Sequence, residues 1–182
     1  QLASFSPDGK QIAFVRQNNL FVVNLMSKIE SQLTFDGEKN KIINGASDWV
    51  YEEEFGFDKA YEWSPDSKKI AFYRFDEAEV KEFGMPIYGS LYPEYSTFKY
   101  PKAGEKNAVV QILIYDFSIK KLVNADIGAE TNQYIPRIKW TANSNSLSCQ
   151  RLNRLQNKLD LLLIDSNTGN SKVILSESSN TY

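Results

Sequence analysis

The chain of 182 residues contains no histidine and a single cysteine, Cys149. Without a second thiol no disulfide can close within it, and without imidazole neither a Ser-His-Asp triad nor an ordinary zinc shell can be assembled. The spacing Gly-x-Ser-x-Gly is also missing, so no serine sits on the strand-to-helix turn that exposes a hydrolase nucleophile. Hydrolytic chemistry of that kind has to come from outside these residues. No apolar run approaches the roughly 20 residues that cross a bilayer, and the N-terminus lacks the basic-then-apolar order of a signal peptide. The segment reads as soluble, with no membrane-spanning stretch. A formal charge of −2, with acids and bases interspersed, removes the electrostatic ground for nucleic acid or an anionic membrane as partner.

What is present is enough for a core, since 42% of residues are apolar and 13% aromatic, so one compact unit without a disordered tail is expected. Its organising signal is an internal repeat. "FSPDGKQIAFVR" from Phe5, "WSPDSKKIAFYR" from Trp63 and "WTANSNSLSCQR" from Trp140 align without gaps, each opening on an aromatic residue and closing on an arginine. Ser-Pro-Asp-Gly is turn chemistry, because proline fixes φ and glycine accepts positive φ, and the flanks alternate as strands do. A further strand pair follows the first copy, Asn18–Leu25 and Glu30–Phe35, and another follows the third, Leu159–Asp165 and Ser171–Leu175. Four antiparallel strands per repeat, at a period of about 40 residues or more, predict an all-β fold built of propeller blades. The expected division is a blade over 1–40, a second with insertions over 41–125, a third over 126–176 and a polar tail over 177–182. Because propellers close with about four to eight blades, three blades make a partial propeller, and the chain reads as a piece of a longer protein.

The register places Cys149 where the other copies hold Phe14 and Phe72, which predicts a buried strand thiol without redox function. Arg16, Arg74 and Arg151 recur with the repeat and are expected to pair with carboxylates of strands and turns.

The second blade carries two insertions, and function tends to sit on such additions. One is "DWVYEEEFGF", Asp48 to Phe57; the other runs from Arg74 to Asn107 and is rich in Tyr, Phe, Pro and Gly. Successive strand residues point to opposite faces and could not offer two adjacent carboxylates to one ligand. A helical turn could, and Asp48 is a good N-cap for one over Trp49–Glu54, with acids favoured in its first turn. Two glutamates about 100° apart on a helix could then accept the N–H donors of one ammonium, between walls made by Trp49, Tyr51, Phe55 and Phe57. A solvated acidic loop explains the same run, as it explains most charge runs. Calcium is the third option, although it wants six to eight oxygens and Asp- or Gly-rich spacing that "EEEFGF" does not offer.

The order "DWVYEEE", "WSPDSKKIAFYRFDEAEV", "YPKAGEKN" on a propeller repeat closely resembles the propeller domain of the dipeptidyl peptidase IV branch of the prolyl oligopeptidase family of serine peptidases. The likeness covers about Phe5 to Leu175. It implies an eight-bladed propeller capping an α/β-hydrolase domain, and substrates that lose an N-terminal X-Pro or X-Ala dipeptide. It also implies that Glu53 and Glu54 grip the peptide's free α-ammonium, that Glu52 supports them, and that Trp49 and Tyr51 are packing. No cofactor or metal is implied. The second insertion corresponds to an arm, Phe75 to Tyr100, that meets the partner subunit of a homodimer, with Phe75, Phe83, Tyr88, Tyr92, Tyr95, Phe98 and Tyr100 as its apolar contacts. The family's carbonyl-binding arginine precedes "DWVYEEE", and Arg16, sitting on a repeat position, is not its match. The same likeness implies a periplasmic, secreted or surface location and no activity for this segment alone. A non-catalytic envelope propeller that binds a protein or peptide is the rival function.

Overall fold

The first two repeat copies fold around the same polar turn: the Ser6 hydroxyl donates to Asp8 at 2.7 Å, and the Ser64 hydroxyl donates to Asp66 at the same distance; in the third, the Thr141 hydroxyl donates to the Asn143 carbonyl at 2.8 Å. The structure, a computed structural model, describes residues 1–181; Tyr182, in the expected tail, lies outside them. The first sheet runs β1 (Ser4–Phe5), β2 (Gln11–Arg16), β3 (Asn19–Asn24), β4 (Glu30–Gln32), antiparallel and in that order. Next along the chain come β5 (Ile42–Asn44), α1 (Trp49–Phe55), β6 (Tyr61–Trp63), β7 (Lys69–Asp76), β8 (Glu82–Ile87), β9 (Glu94–Lys99), β10 (Val109–Asp116) and β11 (Lys121–Asn124). The third sheet is β12 (Gln133–Trp140), β13 (Ser146–Asn153), β14 (Lys158–Asp165) and β15 (Ser171–Ser178), again in sequence order. The described residues are thus all-β apart from α1, with three antiparallel sheets of the kind that make propeller blades. β15 carries through Glu177 and Ser178, which polar composition assigns to the tail.

The middle sheet shows how the insertions fit. β7 is bordered on one side by β10 and then β11, and on the other by both β5 and β6. β5 pairs with Arg74–Asp76 and β6 with Ile70–Phe72, so the two are halves of one inner strand that residues 45–60 interrupt. Ala46 bridges Lys59 at the neck of that excursion, and α1 sits on it. The second insertion leaves after β7 and forms a separate two-stranded hairpin, β8 with β9, before the chain returns through β10.

Burial along β7 explains the packing. Ile70 and Phe72 face the first sheet, in a core with Val15, Leu20, Val22 and Leu113. Ala71, Tyr73 and Phe75 face the third, in a core with Ile135, Ile138, Leu147, Cys149, Leu162 and Ile164. A central strand covered on both faces loses the polar-apolar alternation that half-covered strands keep, and β7 is buried along nearly its whole length, whereas β13 alternates over its first half. Consecutive blades are also tied through their turns. The Asp8 N–H donates to Ser67 Oγ at 3.0 Å, and one blade on, the Asp66 N–H donates to Ser144 Oγ at 3.1 Å. Buried Lys69 crosses from the second blade to the third, donating to Ser166 and Asn167 at 2.8 and 2.6 Å.

The three repeat arginines each meet a carboxylate: Arg16 with Glu30 at 2.6 Å, Arg74 with Asp36 at 2.8 Å, Arg151 with Asp160 at 2.7 Å. Cys149 is fully buried on β13, and burial pushes its thiol up to about 12, the opposite of what a reactive thiolate needs.

One correction concerns the arm. Phe75 has no exposed surface and belongs to the core between the second and third blades, because β7 continues through Asp76 instead of ending at Arg74. The hairpin carries the others: Tyr88, Tyr92 and Tyr95 are exposed, Phe83 is 38% exposed and packs on Phe98 and Tyr100, and those two are half-buried at its base.

Candidate functional site

The helix that carries the glutamates is fixed at both ends by its own sequence. Asp48 is extended at φ −82° and its carboxylate accepts the Tyr51 N–H at 2.9 Å, so it caps the N-terminus. Gly56 ends the helix in the left-handed region, φ 66°, where a residue without Cβ is at ease, and returns its N–H to the Tyr51 carbonyl. Glu52 lies in the first turn, where the helix dipole favours an acid.

Buried Tyr51 anchors the helix to the third blade: its Oη accepts the Ile135 N–H at 2.8 Å, and its ring meets those of Phe55, Phe75, Phe57 and Tyr73. Trp49 is half-buried and packs on Tyr100 with ring centroids 4.2 Å apart. That contact ties α1 to the base of the β8–β9 hairpin, where Tyr100 also meets Phe83 and Phe98.

A cleft of about 520 Å³ opens beside the helix. Glu54 lines it with Trp49 and Phe55 from α1, and the opposite wall is Tyr100–Ala103, Asn107, Tyr134, Arg154 and Gln156. Glu52 and Glu53 are exposed on the adjoining helix faces and do not line it. None of the three glutamates is engaged by a lysine or arginine in the ion pairs of the described residues. Of the four expected aromatic walls, Trp49 and Phe55 face the cleft, whereas Tyr51 turns into the core and Phe57 lies on the far side of the helix, under the Arg137 guanidinium.

No motif in the sequence marks the third blade's share of this cleft. Asn107 donates to the Tyr134 hydroxyl at 3.1 Å, and the Arg154 guanidinium lies over the Tyr134 ring while donating to the Glu105 carbonyl at 3.1 Å. These contacts hold the "YPKAGEKN" segment as a wall. The one sign of that share in the sequence is "LNRLQN", a polar run just after the third repeat's Arg151. The cleft offers a carboxylate and aromatic faces, with no nucleophile paired to a base. Two cations, Lys102 and Arg154, line it as well, but Arg154 is turned onto the Tyr134 ring and the Glu105 carbonyl, which leaves the Glu54 carboxylate and the aromatic faces as the groups that can meet a cation.

Two buried carboxylates lie behind the helix. Burial pushes Asp48 up to about 6, and burial together with the charge of Asp48 pushes Glu77 up to about 7. Between the ordinary carboxylate range and these values the folded chain keeps protons that the unfolded chain has released, so stability falls as pH rises through the window from about 4 to 7. In the other direction, hydrogen bonds from Ser176 and Arg151 hold Asp160 low, a contribution lost only at more acidic pH. The thermal midpoint is therefore expected to be higher at pH 5.5 than at pH 7.5. Asp48→Asn keeps a capping oxygen, so by calorimetry it should stabilise the chain at pH 7.5 by on the order of 2 kcal/mol and flatten the pH trend. A midpoint that rises steadily from pH 5.5 to 7.5 contradicts this account.

Comparison with known proteins places this geometry. The dipeptidyl peptidase IV (DPP IV) N-terminal region family matches residues 1–182. "Probable dipeptidyl-aminopeptidase B" of Talaromyces marneffei is 38% identical over 181 residues, covering 91% of this chain and 20% of the relative. Dipeptidyl aminopeptidase B of Saccharomyces cerevisiae is 34% identical over 187 residues, covering 98% of this chain and 23% of the relative. The crystal structure of Porphyromonas gingivalis dipeptidyl peptidase 4 superposes with a TM-score of 0.93 at 42% identity, over 98% of this chain and 26% of that one. The chain thus spans about a fifth to a quarter of the length of the relatives it matches. The match over the whole chain and the superposition of its all-β fold place this chain in the DPP IV N-terminal region family, to which it belongs.

Proposed function

We propose that this chain is the substrate-binding part of a dipeptidyl peptidase, in which Glu53 and Glu54 hold the α-ammonium of a peptide's N-terminus. The observation that carries this reading is Glu54, unpaired and set on a doubly capped helix at the mouth of a cleft walled by Trp49, Tyr100 and Tyr134. A primary ammonium carries three N–H donors: Glu54 accepts from within the cleft, where aromatic faces shield the charge from water, and Glu53 accepts from the adjoining exposed face of the helix.

In this reading the chain measures and does not cut. Fixing the ammonium fixes where the peptide begins, so a serine nucleophile held at constant distance in the rest of the protein selects the second peptide bond. Binding energy gathered at the propeller is spent on orientation at a remote centre, and this segment alone has no peptidase activity. The β8–β9 hairpin, with its exposed Tyr88, Tyr92 and Tyr95, serves as the contact between subunits of a homodimer. A periplasmic, secreted or surface location belongs to the same proposal.

The test is the substrate's charge. An unblocked X-Pro chromogenic substrate should be cleaved by the intact protein, and its N-acetylated form should lose about a hundredfold or more in kcat/KM, since an amide offers no charge to the carboxylates. For the unblocked substrate, affinity should weaken above about pH 8 as the amine loses its proton. Comparable cleavage of the acetylated substrate would rule the reading out.

A further inference from the structure

The helix α1 supplies its own N-cap and C-terminal glycine but carries no basic residue in its last turn. It holds three adjacent carboxylates, and its C-terminal end is the negative end of the helix dipole. A lone helix of seven residues is far shorter than water tolerates, so its place depends on what it is docked against. The docking partner is β12, about eighty residues away in sequence, and the contact is built on an irregularity of that strand.

In the pairing of β12 with β13, Tyr134 faces Leu152 and Arg137 faces Gln150, so Ile135 and Pro136 together oppose Arg151 alone. This is a β-bulge, a device that withdraws a residue from the ladder and re-aims a neighbouring side chain. Proline suits it, having no N–H to leave unsatisfied. Both backbone groups of Ile135 are given to the second blade. Its N–H donates to Tyr51 Oη at 2.8 Å, and its carbonyl accepts from Tyr73 Oη at 3.1 Å. The next side chain after the proline is Arg137. Its Nη2 donates to the Phe55 carbonyl at 2.6 Å, its Nη1 to the Pro136 carbonyl at 2.6 Å, and its guanidinium lies over the Phe57 ring at 5.3 Å.

We propose that Arg137, presented by the bulge at Ile135–Pro136, is a positioning residue that fixes the glutamate helix from the third blade. It supplies the cation that the last turn lacks and satisfies a terminal carbonyl that the helix cannot satisfy itself. Glu54 directly precedes the residue so held, so its direction into the cleft is set by a blade to which it does not belong. The inference rests on the reading of Glu53 and Glu54 as the ammonium grip for its effect on substrate, but not for its effect on the helix.

The experiment therefore reads both. Amide hydrogen exchange over Glu52–Gly56 in the intact protein should accelerate about tenfold in Arg137→Ala, while β13 and β14 amides keep their protection and the nearby Lys139→Ala leaves α1 unchanged. With glycyl-prolyl p-nitroanilide, Arg137→Ala should raise KM about fivefold to tenfold with kcat within about twofold. Arg137→Lys, which keeps the cation and one donor, should recover most of the loss. Unchanged exchange in α1 overturns the inference whatever the kinetics do. Faster exchange with unchanged KM, while Glu54→Ala does raise KM, overturns it as well. If Glu54→Ala itself leaves KM unchanged, the function reading has failed, and the exchange data still decide whether Arg137 holds the helix.

Discussion

Replacing Glu54 with alanine in the intact protein is expected to lower kcat/KM for an unblocked X-Pro substrate by about a hundredfold to a thousandfold, the cost of leaving a desolvated charge without its partner. Glu53→Ala should also fall well below the parent, and Glu52→Ala should stay within about threefold, because an exposed first-turn acid contributes little more than dipole stabilisation. If the proposed grip is right, the double variant should lose less than the product of the two single losses, since both carboxylates would act on the same ammonium and the second would have less left to lose. Magnitude depends on cover. In this chain alone the glutamates stand in solvent, where an ion pair is worth about 1 kcal/mol or less, so the segment should bind a free dipeptide only weakly. The large effect requires water to be excluded by the rest of the protein. Glu54→Gln, which keeps shape and acceptor oxygen and removes the charge, isolates the electrostatic share. Steady-state kinetics in which Glu52→Ala costs as much as Glu54→Ala would mean that net acidity near the site, and not a paired grip, does the work.

Much of this was legible in the sequence because the deciding interactions are local. Ser-Pro-Asp-Gly specifies its turn from four consecutive residues, and the capping of α1 by Asp48 is settled within three positions. The carboxylate partners of Arg16 and Arg151 lie within fourteen residues of them. What the sequence does not show is carried across blades. Tyr134 and Arg137 reach the helix and its cleft from a strand that the chain makes about eighty residues later, and Arg154 from the turn after β13, about a hundred residues later; no spacing rule connects "DWVYEEE" to "YIPRIKW". A proline inside a strand pattern was the available sign, since it marks a bulge or an edge. The arm boundary was misplaced for a different reason. Composition turns aromatic and charged at Arg74, but strand periodicity runs on: Ala71, Tyr73 and Phe75 share one face of β7. Residues two apart on a strand must share a fate, and that rule outranks composition.

Phe75→Ala is accordingly expected to destabilise the chain by about 3–5 kcal/mol, the range for emptying a buried phenylalanine site, whereas Tyr92→Ala on the hairpin tip should change stability by less than about 0.5 kcal/mol. The two residues belong to one aromatic-rich stretch, and burial alone separates them: Phe75 is fully buried and Tyr92 is 77% exposed. Stability of a domain is about 5–15 kcal/mol, so the Phe75 loss removes a large share of it. Part of the damage should reach the glutamate helix. The Phe75 ring packs on Tyr51 at 4.8 Å between centroids and stacks on Tyr73 at 5.6 Å, and those two tyrosines are the ones that grip the backbone of Ile135. A cavity there loosens the same anchor that Arg137 tightens. Denaturant unfolding measures the first effect, and near-ultraviolet dichroism of the tyrosine cluster measures the second. If Phe75→Ala unfolds at the parent's denaturant midpoint, the ring is not in the core between the second and third blades.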